Sequence, residues 1–176
     1  MRKSAFKYRR SFPVLNLLLP IWLLVWFPSW LWVILIPANF LIDYLVLRWS
    51  LKDMEDCSEF CKKNVWKVCA IGFISDFMGT MVLIIAMVIL GEFEDDVLVE
   101  IGSALGFNPF GNPIAFAITV VAIIVAGICI FFLDRWILNN SALDREHAQK
   151  AAIRLAIITA PYLFLLPTTI LYTAAG

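Results

Sequence analysis

Long apolar runs separated by short charged stretches set the pattern of this chain. Charges gather at residues 1–10, 43–67, 92–100 and 134–154, and the runs between them are almost free of charge. Residues 81–90 and 114–133 are apolar all round a helix rather than along one stripe. Such a helix is either the core of a large protein or a membrane span. About 20 apolar residues are needed to cross about 30 Å of hydrocarbon. Three stretches meet that length plainly: residues 68–90, 113–133 and 151–172.

The region from residue 12 to residue 49 is too long for one ordinary span and barely long enough for two. Phe27-Pro28-Ser29-Trp30 lies near its middle. Proline disfavours helix at the residue before it and suits the first turn of a new one. The pattern therefore predicts a tight hairpin, with a short span at residues 12–27 and a second at 30–47. Two full crossings and a re-entrant hairpin that dips in and returns both fit.

Loop charges fix the expected sidedness. Basic residues stand at the N-terminus (Arg2, Lys3, Lys7, Arg9, Arg10), after the hairpin (Arg48, Lys52, Lys62, Lys63, Lys67) and after the fourth span (Arg135, Arg145, Lys150, Arg154). Residues 91–112 carry Glu92, Glu94, Asp95, Asp96 and Glu100 without a Lys or Arg. The positive-inside rule puts the first three segments in the cytoplasm and the acidic one outside. Five spans with the N-terminus inside satisfy all four, and a re-entrant hairpin gives the same sidedness. The expected fold is thus an all-α integral membrane protein. It is a five-helix transmembrane bundle in one domain over residues 1–176, with the C-terminus outside. The expected location is a bacterial or archaeal plasma membrane, multi-pass.

Composition strengthens this reading. Of the 176 residues, 62% are hydrophobic and 16% charged, against about 45–50% and about 25% in soluble domains. Mean hydropathy is +0.87. The formal net charge is zero, which gives no reason to expect a nucleic-acid partner. The basic, then apolar, N-terminus lacks a small-residue cleavage site, so a retained span is expected there rather than a secretory signal. Trp22, Trp26, Trp30 and Trp32 cluster at the outer turn, and Trp49, Trp66 and Trp136 lie at inner span ends. Tryptophan favours the headgroup region, with its ring buried and its N–H wet.

The loops carry weaker signals. In residues 94–105, Val97, Leu98, Ile101 and Leu105 fall at helical spacing. They predict a short amphipathic helix on the membrane surface or over the bundle. Gly106, Asn108, Pro109, Gly111 and Asn112 end it, and Pro113 opens the next span. No Pro or Gly lies between Asn39 and Ala70, so the second span is expected to run on as a helical extension. Ser141 with Asp144 suggests a capping-box start for the fifth helix, and Pro161 and Pro167 should kink it.

Candidate chemistry concentrates on polar residues inside the spans, which are costly there and are functional candidates by default. Asp43 lies about five residues outward of Arg48, about 7–8 Å from the inner boundary, with Asn39 one turn deeper on the same face. Asp76 lies roughly 13 Å along the third span, with Thr80 at i+4 and Ser75 beside it. The functional reading is a cation or proton pathway using Asp43, Asp76, Asn39, Ser75 and Thr80, since hard cations take oxygen ligands. The plainer reading is close helix packing at Gly72, Ser75 and Gly79, with Asp43 paired to Arg48 or Arg154. Asp134, followed by Arg135, reads as an interfacial charge. Thr159, Thr168, Thr169 and Tyr172 would line the same pathway or satisfy backbone groups freed at the kinks.

Cys57 and Cys61 share a helix face, and His147 is expected on the same side of the membrane. The spacing is not a strong zinc signature and a fourth ligand is missing, so no metal or other cofactor is assigned. No H-E-x-x-H, Gly-rich phosphate loop or G-x-S-x-G occurs, and those absences argue against an intramembrane enzyme. The function expected is a channel or transporter for a cation or proton, homo-oligomeric because five short helices enclose little volume. The alternative is an accessory or assembly subunit that binds another membrane protein and transports nothing itself.

Overall fold

The structure is a computed structural model that describes residues 32–93, 95–168 and 170. The expected first span at residues 12–27, the turn at Pro28, Trp22, Trp26, Trp30, Thr169 and Tyr172 lie outside them. The described chain is helical throughout: α1 (Trp32–Ser50), α2 (Cys57–Gly91), α3 (Asp96–Phe107), α4 (Pro113–Asn139) and α5 (Arg145–Ile158), with 3₁₀ turns at Pro109–Gly111 and Tyr162–Leu165. No strand occurs among the described residues. Three helices, α1, α2 and α4, are long and apolar enough to cross a membrane.

Helices α2 and α4 form the central pair. α5 lies on α4, and α1 touches both α2 and α5, which closes a ring of four helices at one end. That end is filled by Val46, Leu47 and Leu51 of α1 and its turn, Cys57, Cys61 and Val68 of α2, Ile130 and Leu138 of α4, and Ala148, Ala151 and Leu155 of α5. At the other end α3 and the Tyr162–Leu165 turn replace α1 and α5. There Leu83, Ile101, Leu105, Ala115, Ala122, Ala160 and Phe164 form a second cluster. The basic segments around Lys62 and Arg145 thus share the first end, and the acidic segment at 95–100 stands at the second. Between the clusters the outward faces stay apolar: Leu41 and Leu45 on α1, Ile74 and Phe77 on α2, Ile124 and Phe132 on α4 are all exposed.

Small residues let the helices approach. A Cβ on Gly79 would sit 3.0 Å from the Ala122 carbonyl and 3.1 Å from Ala126 Cβ and Phe164. At Gly127 it would stand 3.5 Å from the Ala156 carbonyl of α5. Close backbone contact of this kind is the usual way apolar helices associate without a hydrophobic drive between them.

The boundaries follow local chemistry, with three differences from expectation. α4 starts at Pro113, as expected, and Asn112 caps it by accepting from the N–H groups of Ile114 (2.9 Å) and Ala115 (3.4 Å). α3 is capped by Asp95, which accepts from Val97 at 2.9 Å. It lies over α2 and α4, with Ile101 and Leu105 buried. The first difference is that α1 does not run on. It ends at Ser50, and the long extension belongs to α2, which begins at Cys57. No Pro or Gly breaks the chain there. Instead Leu51 folds back to complete burial, and the Cys57 thiol donates to the Arg48 carbonyl at 3.6 Å.

The second difference is that α5 is capped by Asp144, not Ser141. Asp144 accepts from the N–H groups of Glu146 and His147, each at 3.2 Å. Ser141 serves the helix before it, donating to the Ile137 carbonyl at 2.8 Å. Ala142, with φ of 65°, then turns the chain in the left-handed region. The third is that α5 stops at Ile158 rather than continuing with a kink. Pro161 has no N–H to give the Ile157 carbonyl, and the Tyr162 hydroxyl donates there in its place. Thr159 donates its hydroxyl to the Leu155 carbonyl at 2.9 Å, and Thr168 donates to the Gly106 carbonyl at 3.1 Å. These two threonines satisfy backbone groups around the break.

Candidate functional site

The polar residues of the apolar helices lie along the bundle interior, and some of them touch. Gly72 opens the α1–α2 contact: a Cβ there would lie 3.4 Å from Asn39 Nδ2 and 3.9 Å from Asp43 Oδ2. Asn39 Nδ2 donates to Asp43 Oδ2 at 3.3 Å and approaches Cys69 Sγ at 4.0 Å. The Cys69 thiol also stands against Asp43. Asp43 is 1% exposed. It does not pair with Arg154, whose guanidinium lies 4.0 Å over the Trp49 ring and donates to the Trp49 carbonyl at 3.3 Å.

Asp76 falls between Gly72 and Thr80 at four-residue steps along α2, one oxygen buried without a hydrogen-bond partner. Ser75 and Thr80 are fully buried, and their hydroxyls also lack partners. Thr119 of α4, also fully buried, turns its hydroxyl to the Ala115 carbonyl at 2.9 Å. Buried polar groups are normally bonded. One oxygen of Asp76 and the hydroxyls of Ser75 and Thr80 are therefore unsatisfied polar groups of the bundle interior.

All five sequence-predicted pathway residues thus lie along the α1–α2 seam and the α2 face beside it. Asp134 joins them against expectation. It is 1% exposed, and neither of its oxygens has a partner. Its place beside Arg135 and Trp136 resembles an interfacial residue, but its face decides otherwise. Ala122, Ala126, Ile130, Asp134 and Leu138 recur every four residues and are all buried. That stripe was the signal available in the sequence. Ser50 adds one more buried hydroxyl without a partner, at the end of α1.

The Cys57 and Cys61 thiols do share a face, with sulfurs 3.8 Å apart in the core. His147 is engaged elsewhere: its Nδ1 lies 2.6 Å from Asp144 Oδ1. Among the described residues no group of three or more His, Cys, Asp and Glu side chains converges as metal ligands. Outside the spans, the N–H of His147, then its ring and the N–H of Glu146, hold the Asp144 carboxyl below the usual aspartate range.

A 550 Å³ cleft opens at the basic end, lined by Asp56, Glu59, Lys63, Asn64, Lys67 and Ser141 among others. Lys67 stands in it with its amine on Asn64 Oδ1 (3.0 Å) and Ser141 Oγ (3.3 Å). A smaller 390 Å³ hollow at the acidic end is lined by Asp96, Glu100 and Ser103 of α3. In comparison with known proteins, the chain matches no family model, no curated protein and no solved structure.

Proposed function

We propose that this protein carries a cation or a proton across a membrane, with Asp43 and Asp76 as its acceptors and Asn39, Ser75 and Thr80 as supporting oxygen and amide groups. The observation that carries this reading is the set of buried oxygens without partners on Asp76, Ser75 and Thr80. A purely structural polar cluster in an apolar bundle would be expected to bond to itself. The apolar exterior of α1, α2 and α4 supports a lipid surround, and the split between basic and acidic ends supports a fixed orientation. The interior of one chain is narrow, and assembly from several copies would widen the route.

The test is ion flux into liposomes holding the purified protein. The wild type should pass protons or a monovalent cation, and Asp43→Asn and Asp76→Asn should each lower the rate at least tenfold. Unchanged flux in both variants would remove these residues from the route. A wild type that passes nothing, yet purifies from native membrane with a second protein in fixed ratio, would instead favour an accessory subunit.

A further inference from the structure

The buried stripe of α4 carries Asp134 toward the basic end of the bundle. The contacts at Gly79 set Ala122 and Ala126 opposite it, and those at Gly72 set Asn39 and Asp43 opposite that glycine. With antiparallel neighbours rising 1.5 Å per residue, Asp134 comes level with Cys69, and so does Asp43. The contact of the Cys69 thiol with Asp43 agrees independently. Two carboxyl groups, each 1% exposed, therefore enter the interior at one level from α1 and α4.

The surroundings of that level are well defined. From α2, Cys69 faces it, and Asp76 lies roughly 10 Å further along the helix. From α5 come Ala148, Ala151 and Ala152, all buried. The charges of α5 turn away, Lys150 to Asp53 at 3.4 Å and Arg154 to Trp49. Arg48 of α1 is exposed. The Lys67 amine is held between Asn64 and Ser141 in the open cleft, whose lining includes neither Asp134 nor Asp43.

We propose that Asp134 and Asp43 form the inner station of the pathway, and that the species taken up is a proton rather than a metal cation. This rests on the proposed function and names its cargo. The spread of the carboxyl groups supports it. A hard metal cation gathers about six oxygens around itself, whereas these side chains are distributed along the interior. A proton needs one oxygen at a time, with water between stations. The step balances simply. A hydronium arriving from the basic end loses its proton, an O–H bond forms on one carboxylate oxygen of Asp134, and water remains. The proton passes on through water to Asp43 or Asp76, and Asp134 returns to carboxylate.

The experiment uses liposomes with a trapped pH dye and an imposed membrane potential. Wild type should move protons at a rate unchanged when external Na⁺ or K⁺ is replaced by a large impermeant cation. Asp134→Asn should cut that rate at least tenfold with unchanged thermal melting, and Asp134→Glu should restore most of it. Because Asp134→Asn can fail to fold, the wild type is also treated with dicyclohexylcarbodiimide, an apolar carboxyl reagent. Modification of Asp134, located by peptide mass, should track loss of flux. Proton flux that survives in Asp134→Asn, or inhibition that tracks a carboxyl other than Asp134 and Asp43, overturns the inner station while leaving the proposed function standing. Flux that follows Na⁺ or K⁺ overturns the choice of proton. A wild type that moves no ion overturns both readings.

Discussion

Single positions on α2 show how differently two glycines serve one helix. Gly79 sits where any Cβ would press on the backbone of α4, while Gly72 leaves room for an ordinary contact with Asn39 and Asp43. Overpacking a filled site costs about 1–3 kcal/mol. Gly79→Val should therefore lower the melting temperature in detergent clearly, and Gly72→Ala should leave it nearly unchanged. Equal effects would show that the α2–α4 contact is looser than the geometry states. Asp134 makes the same point for polar residues. Its neighbours in sequence resemble a membrane boundary, but a buried face cannot be told from an exposed one by adjacency alone.

At the scale of elements, caps and breaks decide where each helix begins and stops. The cap of α5 has a definite pH signature. The carboxyl of Asp144 is held below its ordinary value by the His147 N–H. A lowered folded-state value means that the stabilisation is fully present above the unfolded aspartate pKa, about 3.9, and is lost as pH falls through the folded value. Asp144→Ala should thus melt earlier than wild type at pH 6, and the difference should shrink steadily as the pH is taken below 4. A gap that persists in acid would mean that the carboxylate is not the capping group. The break after Ile158 is the other element-scale feature. Pro161 marked it in the sequence, but a proline alone does not distinguish a kink from a stop. The chain stops because Tyr162 and Thr159 supply the bonds that let the backbone leave the helix.

For the whole molecule, the segregation of charge is the property with the widest consequence. The described basic segments share the end formed by α1, α2, α4 and α5, and the acidic segment with α3 lies at the opposite end. Single cysteines placed at Lys62 and at Glu100, both exposed, should react with an impermeant maleimide from opposite sides of intact cells, Glu100 from outside. The native cysteines are buried or half-buried, and Cys57, Cys61, Cys69 and Cys129 can be replaced by Ser or Ala first. Labelling of both positions from one side would refute the orientation.

The sequence alone determined the helical class, the length and apolarity that would let α1, α2 and α4 cross a membrane, the start at Pro113 and the amphipathic α3, and it singled out the candidate pathway residues. These rest on run length, period and composition, which are local quantities. The span expected at residues 151–172 is instead the end of the short α5 and a 3₁₀ turn. The tertiary structure decided what those quantities cannot hold. It ended α1 at Ser50, where burial of Leu51 rather than any breaker residue turns the chain. It drew Asn39 and Asp43 against Gly72, left one oxygen of Asp76 and the hydroxyls of Ser75 and Thr80 without partners, and turned Asp134 inward. Each of these depends on which face of one helix meets another, and that is set by contacts between residues distant along the chain.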